Sequence, residues 1–183
     1  STEQLNSPSV EKSCIFRLPD DTWQLYISYV DPTSNMWRID VMEAPAPDGF
    51  DPADARPVFV PEELGLAGIK DPNVYGIGGL YHMLVSYAPN PPAVTDELRR
   101  TMHGTADVYN TGTVKSHSGL ATSEDGRHWA FAGDILSPPD TGWDAYCTRL
   151  GSLLSLPPWF VGFYDGSASV AENYEEQAGL AIS

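Results

Sequence analysis

Three charged side chains recur at the openings of three similar segments: Glu11 before Ser13-Cys14-Ile15, Asp71 before Asn73-Val74, and Arg149 before Ser152-Leu153. If these segments are structural repeats, the three side chains stand at comparable heights around one axis. Two carboxylates and a guanidinium then converge at one mouth. Paired carboxylates across a sugar-sized gap are the machinery of glycoside hydrolysis. One is kept protonated and donates to the leaving oxygen, while the other acts on water or attacks directly. Separation decides the outcome, about 6.5–9.5 Å for inversion and about 5–5.5 Å for retention. An adjacent arginine holds a carboxylate ionised and binds sugar hydroxyls. Asp71 and Glu11 are therefore the catalytic candidates, with Arg149 on the substrate. The simpler alternative is that Glu11 and Asp71 cap turns or pair with Lys12, Lys70 or Arg149.

Further substrate-binding candidates lie on loops and strand ends. His117 follows Ser116 at the close of a long insertion. Asp165 follows the aromatic run Trp159–Tyr164, although Asp165-Gly166 reads more simply as a turn. Glu172 sits in a polar loop, 167–177, together with Asn173 and Tyr174. Trp143 and Trp159 have rings that could stack on sugars, but packing inside a blade is their plainer use.

The elements that would position these groups are short strands. The first unit runs Glu11–Phe16, a turn at Pro19-Asp20-Asp21, then Trp23–Tyr29 with alternating apolar side chains, then Trp37–Met42. The second runs Lys70–Tyr75, a turn at Gly76–Gly79, Leu80–Tyr87, Gly119–Ser123, and a fourth strand beginning near His128. The third runs Thr148–Leu154, a turn at Leu156-Pro157-Pro158, Trp159–Tyr164 and Gly179–Ser183. Such a repeat predicts an all-β fold, a β-propeller of four-stranded antiparallel blades, with units at about 10–60, 68–136 and 146–183. A β-sandwich also uses alternating strands, but here aromatic and Asp-Gly positions recur in phase. Three units cannot close a ring, so completion by a missing segment or another chain is expected. Ala44–Leu66 reads as a surface connection. Within the insertion 88–118, Thr95 reads as the N-cap of a short helix.

Composition narrows the partners. Ten Lys and Arg against 25 Asp and Glu give a net charge of −15, which repels phosphate backbones and argues against nucleic acid. No apolar run spans a membrane, and no secretion signal is visible at the N-terminus. Cys14 and Cys147 read as buried free thiols. His82, His103, His117 and His128 are scattered, so neither a metal nor another cofactor is implied.

At these residues the chain resembles the five-bladed β-propeller glycosidases around glycoside hydrolase families 43 and 32. Ile69-Lys70-Asp71-Pro72-Asn73-Val74, followed by Gly79-Leu80-Tyr81-His82-Met83, is similar to that group's Asp-Pro strand opening and second strand. Ser123-Glu124-Asp125-Gly126-Arg127-His128-Trp129 is similar to its Ser-x-Asp-Gly-x-x-Trp blade turn, and Val10–Ile15 to the opening that carries its acid Glu. The resemblance implies five blades and three carboxylates at the mouth. Asp71 would be the transition-state stabiliser or acidity modulator and Glu11 the general acid. The third carboxylate has no match, which leaves a non-catalytic carbohydrate- or protein-binding propeller as the alternative. A sialidase-like reading of the Ser-x-Asp-Gly turn lacks the necessary arginines.

Overall fold

The computed structural model describes residues 1–102 and 107–183, so His103 lies outside the described residues. The chain forms three antiparallel sheets arranged as adjacent blades. Blade I contains β1 (Val10–Arg17), β2 (Trp23–Val30), β3 (Trp37–Ala44) and β4 (Arg56–Phe59) in that order. Blade II contains β5 (Leu66–Ile77), β6 (Leu80–Pro89), β7 (His117–Ser123) and β8 (Ala130–Leu136). Blade III has three strands, β9 (Cys147–Leu156), β10 (Trp159–Ser167) and β11 (Gln177–Ile182).

Alternation along the strands builds the packing between blades. Tyr26, Ile39 and Val41 of blade I meet Ile69, Val74, Met83, Val85 and Ala121 of blade II in one buried cluster. The Ser-x-Asp-Gly turn staples the same two blades. Asp125 accepts from the backbone N–H groups of Arg127 and His128, both at 2.8 Å, and from Ser123 Oγ at 3.0 Å. These donors hold its carboxyl below the usual carboxylate range. The turn presents the Gly126 carbonyl to Gln24 Nε2 and the Tyr26 hydroxyl of blade I, at 3.0 and 2.9 Å. Trp129 Nε1 donates to the same tyrosine oxygen.

Blades II and III meet through short polar contacts. Ser118 Oγ donates to the Thr148 carbonyl and accepts from Leu150 N–H, both at 2.7 Å. An apolar cleft of about 430 Å³ remains between these blades, lined by Leu84, Leu120, Leu150, Leu153 and Phe160.

Four expectations change. The segment read as a surface connection contains β4 and a helical turn, α1 (Pro61–Leu64). Pro57 disguised the strand, but a proline is tolerated at a sheet edge. Asp165-Gly166 is not a turn. It lies within β10, paired with Arg149 and Thr148 on one side and with Ala178 and Gln177 on the other. Gly166 is small there because a Cβ would meet Trp143 and the Asp144 side chain. Trp143 and Trp159 are not buried, at 39% and 57% exposure. Trp143 stacks on Tyr164. Trp159 stands on an uncovered face of blade III with Leu154, Phe163, Leu180 and Ile182. Finally, Cys14 is half-buried rather than buried, though both thiols are free. The expected helix is present as α2 (Asp96–Thr101), with Thr95 Oγ1 accepting from Leu98 N–H.

Candidate functional site

The innermost strand of every blade carries a β-bulge at the same level. In β1 the pairing skips Lys12, between Glu11 opposite Ser28 and Ser13 opposite Ile27. In β5 it shifts between Lys70 opposite Ser86 and Asn73 opposite Leu84, so Asp71 and Pro72 oppose a single residue. In β9 it skips Gly151. A bulge bends the strand and re-aims side chains. Lys12 and Asp71 both adopt positive φ, at 27° and 61°, a conformation that costs a non-glycine residue energy and concentrates at functional sites. The bulges therefore match Lys12 with Asp71 and place Glu11 level with Lys70, one residue away from the sequence alignment.

Glu11 and Lys70, at equivalent places in adjacent blades, form an ion pair at 3.0 Å. The pairing alternative for Glu11 is thus realised. The Lys70 side chain is 2% exposed, and that of Glu11 is 42% exposed. The Lys70 ammonium lies over the rings of Trp37 and Tyr109, at 4.8 and 5.4 Å, where the ring faces attract a cation. Burial alone would lower the Lys70 pKa, but the charges of Asp71, Asp107 and Glu11 outweigh it and the group is held above its ordinary value.

Asp71 is placed differently. It is 4% exposed, and its N–H donates to Ser28 Oγ at 2.8 Å. Its Oδ2 is buried and, among the described residues, receives no hydrogen bond. A buried oxygen without a donor is costly, commonly about 1–3 kcal/mol, and buried polar groups are nearly always paired. The Tyr109 hydroxyl, also buried, is unpartnered in the same way.

Two loops close over this centre. The first carries Asp107 and a 3-10 turn, Val108–Thr111. Asp107 Oδ1 accepts from Tyr109 N–H at 3.2 Å, and its Oδ2 lies 3.9 Å from Lys70 Nζ. Burial raises the Asp107 carboxyl, and Lys70 offsets this only in part. The second loop carries a 3-10 turn, Val170–Glu172, followed by Asn173. Asn173 donates to Asn110 of the first loop, and Asn110 donates to the Tyr174 hydroxyl. Arg149 joins the second loop to the strands. Its Nη2 donates to Glu176 and, at 3.3 Å, to Asn173 Oδ1, while its Nε points at Cys147 Sγ at 2.9 Å.

The remaining sequence candidates make other contacts. Asp165 is opposite Arg149 in the β9–β10 register. Glu172 accepts from Ser169 Oγ at 3.3 Å, beside Asn173. His117 Nδ1 contacts Asp134 at 3.1 Å, and Tyr87 donates to the same carboxylate. Sequence reasoning missed Asp107, Tyr109 and Glu176 as site residues, named Asn173 only beside Glu172 as a loop contact for sugar, and assigned Lys70 only a pairing role. They arrive from loops whose spacing follows no repeat; Lys70 alone had a signal, its place beside Asp71. Among the described residues no group of His, Cys, Asp and Glu is arranged to hold a metal, and no helix is long and apolar enough to cross a membrane.

No family model matches the chain, and no curated protein matches it in sequence. Solved structures share its fold. A family 117 glycoside hydrolase from the marine bacterium Zobellia galactanivorans superposes with a TM-score of 0.62 at 14% identity, over 95% of this chain and 51% of its own. A β-1,2-mannobiose phosphorylase from Listeria innocua, solved with β-1,2-mannobiose, gives 0.59 at 14%, over 94% and 39%. A family 32 β-fructofuranosidase from Bombyx mori gives 0.57 at 15%, over 94% and 33%. The chain thus has a partial propeller fold and spans between a third and about half of the structures it matches.

Proposed function

We propose that the mouth formed by the three bulged inner strands binds and cleaves a carbohydrate in the manner of a glycoside hydrolase. The observation that carries this reading is Asp71, a buried, strained carboxylate with one oxygen that no donor among the described residues satisfies. Such a group suits stabilisation of the positive charge that develops at an anomeric carbon. Glu11, with its exposed side chain, supplies the second carboxylate. Arg149, Asp165, His117 and Glu172 are the candidates for binding sugar hydroxyls. The fold's occurrence in proteins named for mannobiose and fructofuranoside chemistry supports a carbohydrate partner. The bare apolar face of blade III supports completion of the ring, to five blades, by a further sheet of the same protein or of another chain.

The test uses the full-length protein on a panel of aryl glycosides. Asp71→Asn is expected to lower turnover at least 10²-fold, and Glu11→Gln to impair it. Full activity in both variants would sink the proposal. A second reading, a non-catalytic carbohydrate- or protein-binding propeller, draws support from the commitment of Glu11 to Lys70. It predicts glycan or protein binding by a wild-type protein that turns over no glycoside.

A further inference from the structure

We propose that Asp107, carried by the loop over the mouth, is the proton donor to the glycosidic oxygen, and that Glu11 serves instead to hold Lys70 in place. This rests on the carbohydrate-cleaving reading above. Glu11 is committed to the Lys70 ammonium by a hydrogen bond at 3.0 Å, whereas Asp107 Oδ2 stands further from it, at 3.9 Å. Glu11 and Asp107 flank one ammonium, so their nearest oxygens lie within 6.9 Å, the sum of the 3.0 and 3.9 Å contacts. Both therefore stand beside Lys70, the Glu11 carboxylate in the closer contact.

Of the two, Asp107 is the better enclosed, with a side chain only 9% exposed. Among the described residues, the charged groups that act on it are Lys70 on β5, Glu11 on β1 and Arg149 on β9. Burial favours its neutral form and the negative charge of Glu11 acts in the same direction, while Lys70, the Tyr109 N–H and Arg149 act against it, leaving the carboxyl above its ordinary value, the direction a general acid needs. Its anchorage on the 3-10 turn is short and rigid: Oδ1 takes Tyr109 N–H and Oδ2 the Asn110 amide, at 3.2 and 3.4 Å. Two further observations support this centre as a ligand site: among the described residues, neither Asp71 Oδ2 nor the Tyr109 hydroxyl has a partner.

In the step, the bond between the anomeric carbon and the glycosidic oxygen breaks, and its electron pair stays on that oxygen. The oxygen takes the Asp107 proton and leaves as an alcohol. Water adds to the anomeric carbon and passes its proton to Asp71, whose Oδ2 has no competing donor among the described residues. Asp107 ends as a carboxylate and Asp71 as an acid, and exchange with solvent resets both.

Leaving-group dependence in the full-length protein tests this. Asp107→Asn is expected to lower kcat/KM on alkyl glycosides and disaccharides about 10²–10⁴-fold. It should leave dinitrophenyl glycosides, whose leaving group needs no proton, within about tenfold of wild type. The basic limb of the pH profile should disappear. Asp107→Glu, which keeps the carboxyl, should restore much of the alkyl-glycoside activity and guards against a folding artefact. Equal losses on both substrate types, or an unchanged basic limb, would overturn the assignment while the carbohydrate-cleaving reading stands. A wild-type protein inactive on every glycoside, or an Asp71→Asn variant with full activity, would overturn both.

Discussion

Replacing Lys70 by Met removes a buried charge and keeps most of its volume. The perturbation is severe because the ammonium is 2% exposed and answers to Glu11 at 3.0 Å and Asp107 at 3.9 Å. Removing one partner of a buried pair commonly costs about 3–5 kcal/mol, most of it from the charge left behind. The partners here are unequal. Glu11 is 42% exposed and regains water cheaply, so its share is small. Asp107 and Asp71 stay buried and bear the loss. Lost attraction to the faces of Trp37 and Tyr109 adds about 0.5–2 kcal/mol, and the Met side chain returns part of that through packing. The expected loss is about 3 kcal/mol, or about 6–12 °C in the melting temperature of a domain this size. Calorimetry of the full-length protein measures it, at a pH above the raised Asp107 value, where that carboxyl is charged. A double-mutant cycle with Asp107→Asn locates the cause, because neutralising Asp107 beforehand should recover about 1–3 kcal/mol of the Lys70→Met cost. A loss below about 1 kcal/mol, or strict additivity in the cycle, would refute the view that Lys70 holds the carboxylates of the mouth together.

Other consequences can be measured alongside. Gly126→Ala should destabilise by about 2–4 kcal/mol in chemical denaturation, since φ is +71° and the new Cβ would stand 2.6 Å from Leu18 Cδ2. Unfolding scans against pH should separate two aspartates with opposite shifts. Burial raises Asp107, so the native state holds its proton to higher pH than the unfolded chain. That contribution is complete below the ordinary carboxylate range and is lost as the pH rises through the raised value. Backbone N–H donors lower Asp125, so its contribution is present above the ordinary range and lost as the pH falls through the depressed value. Asp107→Asn should flatten the first slope and Asp125→Asn the second. Slopes that survive both substitutions would assign them to other groups.

What could be read from the chain was whatever repeats. Alternation from Trp23 to Tyr29 marked β2, because strands half-buried between blades must place apolar side chains two apart, and the repeated aromatic-rich run from Leu80 to Tyr87 marked β6. The Ser123–Trp129 turn was legible because its hydrogen bonds are local and demand Ser, Asp and Gly at fixed offsets. The fourth strand of blade I was not, since a four-residue edge strand containing Pro57 has almost no periodic signal. Trp143 and Trp159 went astray because hydrophobicity reports what a residue prefers, whereas exposure depends on whether another sheet is present to cover it.

The candidate site divides along the same line. The types Glu11, Asp71 and Arg149, and the strand openings that bear them, follow from the sequence alone. Which of these carboxylates is paired does not. Each inner strand inserts an extra residue at the mouth, and a shift of one residue in a strand reverses the direction of its side chains. That shift turned Glu11 toward Lys70 and left Asp71 buried with an unanswered oxygen. Asp107, Asn173 and Glu176 entered from loops more than 20 residues away in sequence from the strand residues they meet. Contacts made only by closing loops leave no spacing in a sequence, so only the folded chain could bring them to the mouth.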